Sequence, residues 1–408
     1  MKRVAILVFC CVWNPALADD SYVLPEPISA ESCAVNEEDW AQKAVERSQS
    51  VHLGLPALGN PKDNPVTAAK VRLGRKLFAD RRLSINGTMS CAMCHVPEQG
   101  FANWELSTAV GVEGRSVKRN SPTLINVGFL DVLFHDGRDP SLETQFVGPL
   151  VARNEMANPS IGVVVALLQN LPEYQGMFET AFGARASLDR IGKAFGAYQR
   201  TLIAGNAPFD RWYFGDEASA ISDAAKRGFD VFQNKGDCAS CHVIEQQHAL
   251  FTDQQFHNTG YGQMREDRRQ NPPSTVKVQV APGVVHDVDF GKVAAVSAPQ
   301  EVDLGRYEVT EDPKDRWQFR TPSLRNLTVT APYMHDGFLS SLSDVVEFYD
   351  QGGPQTEEQD PRVRPLSLTD SEKQDLIAFL ESLTSPDLGC LVGEARIHPP
   401  DNIESTAK

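Results

Sequence analysis

No stretch of this 408-residue chain is apolar for long enough to cross a bilayer. The apolar run near the start, residues 5–13, is well short of the ~20 residues that a membrane helix needs. Positive charge is also scarce: 39 Lys and Arg stand against 54 Asp and Glu, a formal net charge of −15. That balance argues against non-specific nucleic-acid binding, which depends on cations set against phosphate. What is not lacking is material for a core. Hydrophobic residues make up 41% and charged ones 23%, a globular balance that excludes a disordered chain. The length exceeds one typical core and predicts two domains.

The first residues, "MKRVAILVFCCVWNPALADD", join a basic start at Lys2 and Arg3 to the apolar run and to a small-x-small "ALA" ending at Ala18. This reads as a secretory signal peptide over residues 1–18. No lipid-attachment pattern surrounds Cys10 or Cys11, so the mature protein is expected to be exported without stable membrane insertion. Of the eight cysteines, Cys10 and Cys11 leave with that signal, and four fall in two identical spacings. Cys33 and Cys390 remain. An oxidising compartment permits a disulfide between them, provided the fold brings them within bonding distance.

The two spacings are "CAMCH" (Cys91, Cys94, His95) and "CASCH" (Cys238, Cys241, His242). C-x-x-C-H is the attachment signature of c-type haem. Each thiol can bond one vinyl group, and the adjacent imidazole reaches the iron. A zinc or redox cysteine pair is the competing reading. Two copies behind an export signal, each preceded by an amphipathic helix, favour two covalent haems c.

The flanks predict the scaffold. "NPVTAAKVRLGRKLF" has a candidate cap at Thr67 and apolar residues Ala69, Leu73 and Leu77 at helical spacing. "SDAAKRGFDVF" matches it before the second site. "LDRIGKAFGAYQRTLI" and "LTDSEKQDLIAFLESL" are closing helices, and a turn-rich join lies near 205–219. The expected fold is mainly α. It has an N-terminal haem c domain over 37–215, a C-terminal one over 216–385 and a tail over 386–408. The stretch 263–302 contains "TVKVQVAPGVVHDVDF", which predicts a β-hairpin inserted in the second domain. Exposed insertions often carry recognition, so partner contact and cover for the second haem are both open readings.

An internal repeat relates the halves. "SPTLINVGFLDVLFHDG" (121–137) aligns without a gap on "TPSLRNLTVTAPYMHDG" (321–337). Fourteen residues beyond His135 stands Pro149; fourteen beyond His335 stands Tyr349. Proline offers no side-chain ligand, whereas a phenolate can coordinate iron. The comparison suggests an open first iron and a capped second one.

The motifs "LGRKLFADRRLS", "SCAMCH", "RNSPTLIN", "FHDGR", "SLETQ", "NEM", "FHNTG", "RTPSLRN" and "TAPYMHDG" resemble those of the bacterial dihaem cytochrome c peroxidase superfamily, and within it the MauG-type branch. The similarity runs from about Leu53 to Thr384. It implies that Tyr349 replaces the Met ligand of the C-terminal haem, with Met334 a rival in the turn itself. Many peroxidases place a second His over the first iron; that position falls near Gly111, in a segment without His. The resemblance assigns Glu155 as acid/base and Gln145 as the residue that orients peroxide, with Pro149 between them. It also implies a calcium ion held by Asn120 through its side chain and by Thr330 and Pro332 through backbone oxygens. A hard anionic phenolate favours high oxidation states, which suits the oxidation of a bound protein. One departure stands out: the family usually has Trp before "DGR", where this chain has His135. Imidazole is harder to oxidise than indole, so either Trp104 or another aromatic substitutes or the haems share charge less effectively, unless His135 simply caps its turn.

The expected activity is that of a periplasmic dihaem oxidoreductase that activates hydrogen peroxide and oxidises a protein partner, a cytochrome or an exported protein. The alternatives are a cytochrome c peroxidase fed by a small cytochrome and a non-catalytic dihaem carrier. The carrier reading requires two capped irons, which Gly111 and Pro149 oppose.

Overall fold

The computed structural model describes residues 25–30, 33, 35, 36, 38–281, 284–296 and 302–397. The signal peptide expected over 1–18 and the end of the tail lie outside the described residues. The longer helices are α1 (Trp40–Gln49), α2 (Ala68–Ala79), α3 (Ile161–Asn170), α4 (Leu188–Gln199), α5 (Asp223–Gln233), α6 (Tyr261–Gln270), α7 (Leu342–Asp350), α8 (Asp370–Glu381) and α9 (Leu388–Arg396). The strands are β1 (Phe256–His257), β2 (Thr275–Ala281), β3 (Val284–Asp289) and β4 (Phe319–Arg320). The mainly helical class expected from sequence is what the chain adopts.

Local chemistry sets the helix starts. The Thr67 hydroxyl accepts the Lys70 N–H at the head of α2, and Ser222 does the same for Ala225 at α5. Thr369 and Glu372 form a reciprocal capping box at α8. Before each cysteine pair, a leading helix packs on a closing one: α2 on α4, and α5 on α8. In each pair a glycine permits the close approach. A Cβ at Gly74 would stand 2.1 Å from the Ala194 carbonyl oxygen, and one at Gly228 would stand 1.8 Å from that of Asp375.

The buried apolar side chains form two clusters. The first includes Leu77, Phe78, Ile191, Phe195 and Tyr198. The second centres on Phe209, Phe229, Phe251 and Phe379. Phe209 lies in the short helix Pro208–Tyr213, so the second core begins ahead of residue 216. The segment read as a tail contains α9, whose Leu388 and Leu391 pack in the first core. Cys33 and Cys390 form a disulfide with a Cα–Cα separation of 5.0 Å, and Arg47 grips Glu394 through two bonds of 2.9 and 2.6 Å.

Several contacts bind the halves together, two of them in the interior. The first is built on a buried ion pair in the second half: the Arg325 guanidinium meets both Asp210 oxygens at 2.9 and 2.8 Å and from there reaches the first half at the Gly54 carbonyl. It also donates to the Ala249 carbonyl. Removing one partner of such a pair would strand a charge in the interior, a loss of about 3–5 kcal/mol. The second is the repeat itself, whose copies exchange backbone bonds. The Asn120 N–H donates to the His335 carbonyl at 2.8 Å, and the Arg320 N–H donates to the His135 carbonyl at 2.8 Å. The copies share backbone form at matched places. Phe134 and Met334 have φ of 67° and 69°; Asn126 and Asn326 have 64° and 63°.

The expected hairpin is present: β2 and β3 pair antiparallel, with a register shift between Gln279 and Ala281. It lies between α6 and the helix Phe290–Val296, so the insertion is part helical. β1 pairs with β4, Phe256 against Arg320. No helix among the described residues is long and apolar enough to cross a membrane.

Candidate haem centres

At the first centre Cys91–Cys94 is a single helical turn following Ser90. The His95 Nδ1 lies 3.0 Å from the Phe101 carbonyl oxygen. At the second centre the His242 Nδ1 lies 2.8 Å from the Phe251 carbonyl oxygen. A carbonyl only accepts, so each Nδ1 carries the proton and each Nε2 keeps its lone pair for a metal. Phe101 and Phe251 both have φ of 53°, another matched feature of the halves.

The cysteine thiols lie in apolar surroundings. Burial pushes Cys91 up to about 12, Cys94 to about 11 and Cys238 to about 12. Without a metal these thiols stay protonated, and each pair is followed directly by its imidazole, the order that covalent haem requires. A thioether is neutral and suits apolar walls, here those of Phe78, Leu124, Phe146, Leu150 and Phe195. The residues therefore fit covalent haem.

A cavity of about 550 Å³ opens beside His95 and Cys94. That volume is in the range of cofactor-sized sites. Gln145, Pro149 and Glu155 line it, and they also line the narrower apolar space against the Cys91–Cys94 turn. Pro149 lies in the short helix Val147–Val151, and its carbonyl accepts the Met156 N–H, which fixes the turn that carries Glu155. Burial raises the pKa of Glu155, and Arg138 opposes this only in part. Gly111 packs against the same turn. A Cβ there would stand 2.2 Å from the Asn154 carbonyl oxygen and 2.7 Å from the Glu155 Cα. The position therefore lacks room for any larger side chain unless the Glu155 turn shifts.

At the second centre Tyr349 lies near the end of α7, which starts from a capping box between Ser341 and Asp344. Burial, with the Cys238 and Cys241 thiols adding to it, holds the phenol above its ordinary pKa, so Tyr349 lies within electrostatic reach of the cysteine pair. Met334 sits in the HDG turn at the place Phe134 takes in the first copy. His257 of "FHNTG" is held between Asp253 at 2.8 Å and Asp360 at 3.0 Å.

Between the centres, His135 is a buried seam residue. Its Nε2–H donates to the Asn120 carbonyl at 3.0 Å. Burial, with Arg119 adding to it, pushes its pKa down to about 3, so the ring is neutral. His335 instead stacks on Phe319 with ring centroids 3.8 Å apart. Trp104 is buried, its backbone N–H bonded to the Gln99 side chain at 3.0 Å. Asn120 donates from its side chain to the Ser107 carbonyl and from its backbone to His335. That backbone bond ties it to the HDG turn, three residues past Pro332 in sequence.

Sequence reasoning passed over several cavity residues, among them Gln199 at the end of α4, Lys118, Arg119, Arg138 and Arg320. The repeat held the one available signal for Arg320. It is the counterpart of Asn120, and a charge that appears in one copy only marks a difference in use.

Fold and sites together define a c-type dihaem protein whose first centre opens on a cavity. A profile of the di-haem cytochrome c peroxidase family matches residues 68–218. The methylamine utilization protein MauG of Methylorubrum extorquens is 38% identical over 326 residues, covering 79% of this chain and 80% of that protein. A cytochrome-c peroxidase of Denitromonas iodatirespirans is also 38% identical, over 337 residues, covering 81% and 85%. A crystal structure of a MauG-like protein associated with microbial copper homeostasis superposes with a TM-score of 0.66 at 28% identity, covering 86% of this chain and 99% of that one. The chain belongs to the di-haem cytochrome c peroxidase family. It is an enzyme of the dihaem peroxidase/MauG type with two covalently bound haems c. That activity implies hydrogen peroxide and a protein redox partner.

Proposed function

We propose that this enzyme activates hydrogen peroxide at the centre built on His95 and shares the oxidising equivalents with a His242/Tyr349 centre, to oxidise a protein partner in the periplasm. The observation that carries this reading is the contrast between the centres. The first has a cavity lined by Gln145, Pro149 and Glu155 with Gly111 at its wall; the second has Tyr349 buried within electrostatic reach of its cysteine pair. When bound, the haems supply the iron that meets peroxide and the redox centres that hold charge. Glu155 takes a proton from the near oxygen of peroxide and returns one to the leaving oxygen. Gln145 orients peroxide by hydrogen bonding, and Pro149 offers no competing ligand. His95 and His242 are oriented by the carbonyls of Phe101 and Phe251. His135, neutral and flanked by cations, serves the seam between the repeats rather than charge transfer.

Adding peroxide to the resting diferric protein tests the proposal. Both ferric signals are expected to be lost without prior reduction and to stay lost until a protein partner arrives. A requirement for pre-reduction, with steady turnover of reduced cytochrome c, would establish the cytochrome c peroxidase alternative. The Denitromonas peroxidase, as similar as MauG, keeps that alternative in view.

Calcium belongs to the same proposal, with Asn120, Thr330 and Pro332 as oxygen donors at the seam. Chelation is expected to lower the melting temperature and weaken communication between the haems, with calcium reversing both. No change in either on exhaustive chelation would remove calcium from the reading.

A further inference from the structure

Four cationic side chains line the cavity beside His95: Lys118, Arg119, Arg138 and Arg320. Three of them have carboxylate partners. Lys118 pairs with Glu308; Arg119 pairs with Asp303 at 2.7 Å and with Asp136 at 2.5 Å; Arg138 pairs with Asp136 at 3.1 Å. No carboxylate among the described residues reaches Arg320. Its guanidinium makes only two contacts with carbonyls, Phe134 at 3.4 Å and Thr321 at 3.2 Å.

Burial lowers the pKa of Arg320 to about 10, and no acid offsets it. Two arginines buried elsewhere differ: Arg325 has Asp210, and Arg200 has Glu143. A buried cation without a counter-charge is costly, and a protein keeps one where a ligand supplies the missing anion. Two observations fix its aim. The Arg320 N–H donates to the His135 carbonyl, and β4 holds it against Phe256 of β1. The side chain of a residue from the second repeat is thereby delivered to the cavity of the first centre.

Haem carries two propionate carboxylates, and guanidinium is the side chain whose planar donors match a carboxylate. We propose that Arg320 is the counter-charge for a haem carboxylate at the first centre, so that this centre is completed by the other half of the chain. The arrangement is one-sided. Asn120, the repeat counterpart of Arg320, carries no charge, and its side chain donates to the Ser107 carbonyl. The cation would raise the potential of the first haem by offsetting a carboxylate charge of that haem, and the counterpart position in the first copy, Asn120, offers the second haem no charge.

This rests on the haem assignment at Cys91 and Cys94. The test is a redox titration of both haems in the holoprotein, comparing Arg320→Gln, Arg320→Lys and the parent chain. Arg320→Gln is expected to lower the potential of the first haem. At a fixed solution potential its ferric-to-ferrous ratio should rise about tenfold, which is 59 mV for a one-electron couple. The second haem should not move, and Arg320→Lys should recover most of the shift. An unmoved first haem in Arg320→Gln, with haem still bound to the Cys91/Cys94 peptide by mass, would overturn the proposal alone. So would equal shifts in both haems, which would mark loosening of the seam. A Cys91/Cys94 peptide without haem in the parent chain would overturn both the proposal and the assignment beneath it. Should Arg320→Gln fail to fold, Arg320→Lys decides: retained charge must retain the parental potential.

Discussion

Replacing Glu155 with glutamine is expected to slow the reaction with peroxide by about 10²–10⁴-fold, the span that a positioned acid/base contributes. The variant keeps the shape of the side chain and its cavity but can neither take up nor return the proton. Gly111 packs on the backbone of the same turn and leaves the turn in place. Haem content and the spectrum of the resting protein should therefore be unchanged. The pH profile separates this role from a structural one. Burial raises the pKa of Glu155, so it keeps its proton above the usual carboxylate range. Acting as a base requires the ionised form, so the bimolecular rate constant for peroxide should fall as pH drops through that raised value. The glutamine variant should lose this limb. Stability has the opposite sign. A carboxylate with a raised folded pKa costs stability once pH exceeds its unfolded pKa, and glutamine removes that cost. The variant should thus be at least as stable as the parent at neutral pH. Stopped-flow traces give the rates and thermal melts give the stability. A rate within threefold of the parent would remove Glu155 from the mechanism.

Much of the scaffold was legible because its signals are local. Thr67 caps α2 as its place before an apolar-periodic run predicts, and β2 and β3 flank the expected turn. The thiol and imidazole positions follow from C-x-x-C-H because five adjacent residues carry that chemistry. The 121/321 repeat showed that two segments are equivalent. It did not show that the copies touch, because equivalence in sequence carries no information about contact. The bonds from Asn120 to His335 and from Arg320 to His135 therefore emerged only in three dimensions. The role of Arg320 was hidden for the same reason: its cavity belongs to residues some 200 positions away. α9 was equally obscure. Its apolar residues promise a buried face but not which core receives it, and the core it joins is the one farthest from it in sequence.

Exchanging Tyr349 for methionine is expected to raise the potential of the second haem by a few tenths of a volt, within the roughly 0.8 V that axial ligation spans in haem proteins. The direction follows from ligand chemistry. A phenolate is anionic and hard and stabilises the higher oxidation states of iron, whereas a thioether is neutral and soft and stabilises Fe(II). The site places conditions on the parent residue. Burial beside Cys238 and Cys241 disfavours the free phenolate, so an iron must supply the positive charge that holds the proton off. α7 carries residue 349 on a capped, packed helix, with Val346 and Phe348 buried beside it, so a flexible methionine can enter without moving the backbone. Reaction of the first centre with peroxide should proceed at the parental rate, since Gln145 and Glu155 are untouched. What should change is the fate of the second oxidising equivalent. The peroxide-induced spectral change at the second haem should become short-lived, and oxidation of a protein partner should fall by at least tenfold. Electron uptake from reduced cytochrome c should rise, because a ferrous second haem is then easier to reach. Spectroelectrochemistry gives the potential, and rapid mixing gives the lifetime. An unshifted potential in Tyr349→Met would show that residue 349 does not ligate the iron and would direct attention to Met334.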